Sequence, residues 1–147
     1  MRFLMMVKAT EESEAGAPPR RETIAKMGAL MEDMAGAGIL LAADGLTPSS
    51  QGKRITFSKG KVTRITDGPF AETKELVAGF CMVEVDSWDD LMKWNDRFVD
   101  AAEDGVVEIR PLFEVADFPA DVLPPEEAAR EQAMRDDLKK KTAPRGR

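Results

Sequence analysis

The densest group of side chains that could do chemistry lies between Asp67 and Glu75. The segment reads Asp-Gly-Pro-Phe-Ala-Glu-Thr-Lys-Glu, so a turn, three acidic residues and a lysine stand between two apolar runs. If residues 72–75 are extended, Glu72 and Lys74 point to the same side and can form an ion pair. A buried pair beside Asp67 would suit acid–base catalysis, whereas an exposed pair would contribute little.

The same segment also has a purely structural interpretation. An aspartate accepts local backbone hydrogen bonds in a turn, a glycine permits an unusual φ, and a proline fixes the direction in which the chain leaves. Asp67, Gly68 and Pro69 supply these three residue types in order. From composition alone, the structural interpretation is the stronger of the two.

Glu108 and Arg110 form a second candidate pair. Residues 106–115 alternate between apolar and polar side chains, which is typical of a half-exposed strand. The alternation places Glu108 and Arg110 together on the side away from the core. An arginine there could clamp a carboxylate or phosphate of a ligand, and an exposed ion pair between strands is an equally good interpretation.

Of all features of the composition, the absence of histidine and tyrosine restricts the possible catalytic and metal-binding chemistry most strongly. It excludes Ser-His-Asp and Cys-His catalytic arrangements, imidazole metal sites and the usual general base near neutral pH. The single cysteine, Cys81, lies in an apolar run and cannot form an intrachain disulfide. We therefore expect a buried thiol, no metal site and no cofactor.

Charge and hydropathy indicate the class of partner. The 147 residues carry 21 basic and 27 acidic side chains, a formal net charge of -6. This balance argues against a protein that binds nucleic acid by neutralising phosphates, so a small polar or anionic molecule or another protein is the expected partner. Residues 1–8 are too short an apolar run for a signal peptide, and no segment approaches membrane-spanning length. We expect a cytoplasmic protein without a membrane contact.

The hydrophobic pattern predicts an α+β fold. Its elements are a strand over 2–8, a loop over 9–17, a helix that follows Pro19 and ends at Gly36 or Gly38, a strand over 39–43, a hairpin of 54–57 and 62–66, a strand over 79–85, a helix capped by Ser87 and a strand over 106–115. This order is a ferredoxin-like βαββαβ frame with an inserted hairpin, in which an antiparallel sheet carries both helices on one face. Pro111 places the last strand at a sheet edge.

Two of the predicted strands look apolar on both faces. Residues 2–8 and 79–85 are almost continuously apolar, which is typical of strands that are covered on both sides. Because two helices cover only one face of the sheet, the other face needs a different cover. A second copy of the chain is the simplest cover, so we predict a homodimer packed sheet to sheet.

The chain changes character near residue 118. A charged segment over 126–141 follows Pro124 and Pro125 and has only a thin apolar side, which predicts a solvated helix. We therefore expect an α+β domain over 1–117 and a charged, partly helical tail over 118–147. The basic end of the tail could contact an acidic partner or nucleic acid, but a short charge run favours a solubilising role.

The Asp67–Glu75 segment resembles the signature of the DGPF branch of the YCII-related proteins. Weaker matches to that branch are Gly45-Leu46 with Pro48, Gly79-Phe80, Val85-Asp86-Ser87 and Glu108-Ile109-Arg110-Pro111. The resemblance covers residues 1–117 and implies a ferredoxin-like fold assembled as a dimeric α/β barrel. The wider YCII group resembles enzymes with a proposed His-Asp pair. This chain has no histidine, and Asp67 is an acidic residue that matches the signature without an assigned role.

These observations are compatible with three functions. The first is a dimeric small-molecule-binding protein whose pocket is lined by Asp67, Glu72, Lys74, Glu108 and Arg110. The second is a cofactor-independent enzyme, isomerase- or hydrolase-like, in which Asp67 or Glu72 is the base and Lys74 or Arg110 stabilises charge; exposure of Asp67 and Lys74 to solvent would argue against it. The third, implied by the resemblance, is a regulatory interaction protein linked to sigma-factor-dependent transcription.

Overall fold

The fold consists of two compact units in a computed structural model that describes residues 1–142. The first unit is Met1–Arg110, and the second begins at Pro111. The strands are β1 (Arg2–Lys8), β2 (Leu40–Gly45), β3 (Lys53–Ser58), β4 (Lys61–Asp67), β5 (Val77–Glu84) and β6 (Val107–Pro111). The helices are α1 (Glu11–Glu14), α2 (Arg21–Gly36), α3 (Trp88–Ala102) and α4 (Pro125–Thr142), with short 3₁₀ turns at Ser49–Gln51, Thr73–Glu75 and Val115–Asp117.

A four-stranded sheet organises the first unit. Its strand order is β2-β5-β1-β6, and β5 is antiparallel to both β1 and β2. The hairpin of β3 and β4 forms a separate two-stranded antiparallel sheet. The predicted α+β frame with an inserted hairpin is therefore confirmed. The strand that ends at Pro111 lies at the sheet edge, where a residue without an N–H is tolerated.

One face of the sheet forms the core with α2 and α3. Phe3 lies opposite Val83 and Met5 opposite Cys81 in the antiparallel register, and all four side chains are buried. The helices complete this cluster with buried residues of their own. These are Leu30 and Met34 of α2, and Leu91, Phe98 and Ala101 of α3. Both helices therefore cover the same face, as the βαββαβ order requires.

The alternate residues of β1 and β5 form the other face of the sheet. Leu4 lies opposite Met82 and Met6 opposite Phe80, and each of these side chains is half-buried in the single chain. Since side chains alternate across a strand, this outer face points away from α2 and α3. It is a row of large apolar side chains that neither α2 nor α3 covers.

The helix boundaries follow local capping chemistry. The α2 helix ends at Gly36, and Gly38, two residues later, adopts a positive φ of 74°, which a residue without Cβ does readily. The α3 helix begins after Ser87, whose hydroxyl accepts the Asp90 N–H at 3.1 Å. The predicted loop over 9–17 instead contains α1, which Thr10 opens with a reciprocal capping box to its third helical residue.

The second unit contains α4 and a small aromatic contact. The rings of Phe113 and Phe118 lie 5.1 Å apart, and Arg135 of α4 forms an ion pair of 3.3 Å with Glu114.

The predicted strand over 106–115 was too long, because β6 stops at Pro111, which cannot donate a further backbone hydrogen bond. Residues 143–147 of the predicted tail lie outside the described residues. Among residues 1–142, none of the helices combines the length and the hydropathy needed to cross a bilayer.

Candidate functional site

Asp67 is the last residue of β4 and lies at the base of the hairpin. It is paired in register with Lys53 of β3, and the Lys53 ammonium forms an ion pair with its carboxylate. The Asp67 side chain is 73% exposed. An ion pair in that position is screened by water and contributes little to stability, so Asp67 acts as a surface residue of the hairpin in this chain.

The turn after Asp67 packs closely against the loop that precedes the hairpin. The Gly68 N–H donates to the Gly52 carbonyl at 3.0 Å, and the Phe70 N–H donates to Ser49 Oγ at 3.1 Å. The peptide bond between Gly68 and Pro69 is cis. These contacts make the turn a junction that fixes the start of the hairpin to its end.

Glu14 completes this junction from a distant part of the sequence. The Ser49 N–H donates to Glu14 Oε1 at 3.0 Å, and the Ser49 hydroxyl donates to Glu14 Oε2. Because the two residues are 35 positions apart, no local pattern in the sequence pointed to Glu14. The hydroxyl of Ser49 thus accepts from the Phe70 backbone and donates to a carboxylate, which satisfies both of its hydrogen-bonding roles.

The Phe70 ring also contacts the side chain of Arg54 in the hairpin. The guanidinium carbon of Arg54 lies 4.0 Å from the centre of the Phe70 ring, within the range of a cation–π contact. Arg54 lies opposite Thr66 in the hairpin. The Asp-Gly-Pro-Phe turn is therefore held by backbone hydrogen bonds on one side and by Arg54 on the other.

Glu72 and Lys74 do not form the ion pair that an extended segment would allow. Thr73–Glu75 is a 3₁₀ turn, in which the Glu75 N–H donates to the Glu72 carbonyl and the Leu76 N–H donates to the Thr73 carbonyl. Both charged side chains are exposed, and neither joins an ion pair within the described part of the chain. The exposure of Asp67 and Lys74 leaves an acid–base mechanism built on them without a desolvated site.

Glu108 and Arg110 lie on the outer side of β6. Val107 and Ile109, which alternate with them, pack against the core. The Lys8 ammonium lies 3.6 Å from Glu108 Oε1, so β1 and β6 are joined by a charge pair at this edge of the outer face. Arg110 is exposed and forms no ion pair with any residue between 1 and 142.

The predicted site residues thus fall into two groups. Asp67, Glu72 and Lys74 follow the hairpin, whereas Glu108 and Arg110 lie beside the outer face of the sheet. No hydrogen bond or ion pair between described residues joins one group to the other. The second group borders the half-open apolar surface of Leu4, Met6, Phe80 and Met82, which we call the outer apolar face.

Asp44 lies at the opposite side of the outer apolar face. It is paired with Phe80 in the register between β2 and β5, and it is exposed. Its carboxylate accepts the N–H of Gly45 at 2.9 Å. The face is therefore a four-strand platform with an apolar centre, a carboxylate on the β2 side, and Lys8, Glu108 and Arg110 on the β6 side.

Cys81 is not part of this face. Its side chain is buried in the core, and burial raises the pKa of the thiol to about 11. A protonated, inaccessible thiol is neither a nucleophile nor a metal ligand near neutral pH. No group of three or more cysteine, aspartate or glutamate side chains that could hold a metal ion occurs among residues 1–142.

A concave surface lies between α2 and α3. It is an open groove of about 460 Å³ lined by Lys26, Ala29, Leu30, Asp96, Arg97, Asp100 and Ala101. Arg97 is already engaged, since its guanidinium contacts Asp33 and lies 5.0 Å from the Trp94 ring. Both signs of charge alternate along this groove, so it gives no preference for an anionic or a cationic ligand.

The chain is similar to known proteins both in structure and in sequence. The chain is similar to a solved 5-chloro-2-hydroxyhydroquinone dehydrochlorinase from Burkholderia phenoliruptrix AC1100 in complex with 2,5-dihydroxybenzoquinone, with 17% identity and a TM-score of 0.44 over 78% of this chain and 95% of that one. An uncharacterised protein of Rhizobium meliloti (strain 1021) is 35% identical over 77 residues, which are 52% of this chain and 61% of that relative. The chain thus spans less than two thirds of the relative's length.

The family is shown by a match over the whole of the first unit and the residues that follow it. The model of the YCII-related domain matches residues 1–116, which include the four-stranded sheet, α2, α3, the hairpin and the Asp-Gly-Pro-Phe turn. The resemblance noted in the sequence is therefore confirmed. This chain belongs to the YCII-related domain family.

Proposed function

We propose that this protein is a homodimer that binds a small molecule with an apolar body and an anionic group on the outer apolar face of its sheet. The observation that carries the proposal is the exposed guanidinium of Arg110 beside that face, which forms no ion pair with residues 1–142. Arginine offers a planar fork of donors that matches a carboxylate or phosphate. The apolar side chains next to it suit a ring or a short hydrocarbon chain.

Charge at the β6 side supports an anionic group. Glu108 is already engaged by Lys8 at 3.6 Å, so its negative charge is partly offset, whereas Arg110 has no acidic partner in the described chain. The side chain of Lys8 is only 21% exposed. A ligand anion at this edge would therefore meet two cations and one compensated carboxylate, which favours its binding.

A homodimer would enclose the ligand site on the outer apolar face. On one chain, the side chains of the outer apolar face are only half-buried, so a ligand bound to them would keep part of its surface in water. Ligand sites in proteins are concave and bury most of the ligand. A second sheet packed face to face over Leu4, Met6, Phe80 and Met82 would supply the missing wall and would bury the half-exposed side chains of both copies.

The experiment that tests the ligand is a thermal-shift screen of small aromatic and aliphatic carboxylates and phosphate esters. A ligand present at 100 times its Kd should stabilise the fold by about 2.7 kcal/mol. The Arg110→Ala variant should lose the shift for the anionic ligands, while the matched variant Arg21→Ala, which removes an exposed arginine from the start of α2, should retain it. A screen without any stabilising compound, or an equal shift in Arg110→Ala, would contradict the proposal.

The dimer is tested separately by sedimentation velocity. Met82→Lys places a charge at the centre of the outer apolar face without touching the core residues Cys81 and Val83. We expect this variant to be monomeric, because an unpaired charge cannot be buried between two sheets. A Met82→Leu variant should remain dimeric. A wild-type chain that sediments as a monomer would remove this part of the proposal.

A further inference from the structure

The hairpin of β3 and β4 carries an apolar face that nothing in the described chain covers. Ile55 lies opposite Ile65 and Phe57 opposite Val62 in the antiparallel register, so these four side chains share one side. Their exposed fractions are 56%, 60%, 72% and 59%. We call this surface the hairpin face.

Such exposure is unusual for side chains of this kind. Isoleucine, valine and phenylalanine are among the residues that are most often buried, and clustered exposure of large apolar side chains marks an interaction surface. An isolated two-stranded hairpin is also marginally stable in water. The Asp-Gly-Pro-Phe junction fixes the base of the hairpin, but every residue from Lys53 to Ile65 remains exposed.

The hairpin is basic, whereas the rest of the chain is acidic. Residues 53–66 contain five basic side chains and no acidic one. The chain has 21 basic and 27 acidic residues, so the other residues carry 21 - 5 = 16 basic against 27 acidic, a net charge of -11. The basic residues of the hairpin are Lys53, Arg54, Lys59, Lys61 and Arg64.

We propose that the hairpin is an arm that packs its apolar face onto a second copy of this chain. A second copy presents the strongly acidic surface that a hairpin of charge +5 is attracted to. Nucleic acids and anionic membranes, which also attract basic segments, carry a much denser negative charge than a second copy of net charge -6, so the remaining -11 charges would repel them more strongly. The apolar side chains give the contact its buried centre, and the basic residues supply the charged rim.

This arm is a contact distinct from the sheet-to-sheet packing proposed above. The hairpin face belongs to the two-stranded sheet, whereas the outer apolar face belongs to the four-stranded sheet. Substitutions on one surface therefore leave the side chains of the other unchanged. The two proposals can fail independently.

The test is a concentration series in sedimentation velocity with Phe57→Ser and Ile65→Ser. Removal of a central aromatic anchor should weaken self-association by about 30-fold or more, as for interface hot spots. The matched control is Val106→Ser, which removes an apolar side chain that is 63% exposed but lies outside the hairpin. It should leave the association constant unchanged. Circular dichroism and the Tm at low protein concentration verify that each variant is folded.

A second variant keeps the apolar residues and tests the charges. The double variant Lys61→Glu, Arg64→Glu reverses two exposed charges of β4 and should weaken association at low salt. The difference from wild type should be smaller in 1 M NaCl, because charges are then screened within about 3 Å. Association that is unchanged in Phe57→Ser and Ile65→Ser overturns the proposal, as does a monomeric wild-type chain.

The two contacts are separated by comparison with Met82→Lys. If Met82→Lys dissociates the chain and the hairpin variants do not, the sheet-to-sheet dimer stands and the arm is excluded. If only the hairpin variants dissociate it, the arm stands and the sheet-to-sheet contact is excluded. A hairpin variant that keeps the oligomer but loses binding to duplex DNA or to anionic vesicles would assign the hairpin face to that polyanion and overturn the arm.

Discussion

Gly68 and Ser49 approach so closely that no side chain fits at position 68. A Cβ built on Gly68 would lie 1.7 Å from the Ser49 carbonyl oxygen and 2.6 Å from its carbonyl carbon. Both obstructing atoms belong to the backbone, which cannot rotate away as a side chain can. The close packing of the junction therefore explains why the Asp-Gly-Pro-Phe turn has a glycine at position 68, and this explanation needs no catalytic role.

Gly68→Ala should destabilise the first unit strongly. The clash with Ser49 forces the junction apart, and we expect a loss of about 2–4 kcal/mol in the free energy of unfolding, in the range of severe point mutations. Urea denaturation measures it. The matched control is Gly28→Ala within α2, where a Cβ meets nothing within 4 Å; it should stabilise by about 0.5–1 kcal/mol, since alanine favours a helix. A neutral Gly68→Ala would contradict this account of the junction.

Ser49→Ala should destabilise by about 1–3 kcal/mol, because it leaves the Phe70 N–H and the Glu14 carboxylate without their hydroxyl partner. Ser50→Ala is the neighbouring control. Ser50 is exposed, and we expect a change within about 0.5 kcal/mol. Thermal unfolding of the two variants, compared in the same buffer, distinguishes them. Equal stabilities would mean that the Ser49 hydroxyl is dispensable to the junction.

Asp67→Asn should have little effect on stability. The side chain keeps its shape and loses only its charge, and the ion pair with Lys53 joins side chains that are 73% and 64% exposed. We expect a change below about 1 kcal/mol in chemical denaturation. If Asp67 instead belongs to the ligand site, its substitution should reduce the thermal shift produced by a bound ligand while stability stays near wild type, and this result would return Asp67 to the site.

Cys81 should react slowly with thiol reagents until the chain unfolds. Burial raises the pKa of its thiol from 9.0 to about 11, so the reactive thiolate is scarce at pH 8. In the unfolded chain the thiol loses its proton at lower pH than in the folded chain. The contribution of Cys81 to stability is therefore fully present below pH 9 and is lost as the pH rises towards 11.

Two measurements check the behaviour of Cys81. Iodoacetamide labelling at pH 8, with and without urea, should show slow reaction in the folded state and fast reaction in the unfolded state. The pH dependence of unfolding should fall more steeply between pH 9 and 11 in wild type than in Cys81→Ala. Labelling of the folded protein at the rate of a free thiol would show that Cys81 is accessible.

Local sequence patterns predicted most of the frame because their causes are local. The apolar stripe of α2, the Ser87 cap of α3 and the alternation around Val107 and Ile109 each depend on residues within a few positions. The α1 helix was missed because its capping box uses serine at the third position rather than glutamate or glutamine. The extended conformation assumed for 72–75 failed because consecutive N–H groups there bond back three residues.

The sequence by itself determined the family, the order of the elements and the chemistry that is excluded, since the absence of histidine and the Asp-Gly-Pro-Phe segment are properties of the chain alone. Only the tertiary structure decided which side chains meet. Glu14 reaches Ser49 across 35 positions, and Lys8 reaches Glu108 because β1 and β6 are neighbours in the sheet. Contacts of this kind depend on strand order and register, which bring distant residues together and which no short window of sequence contains.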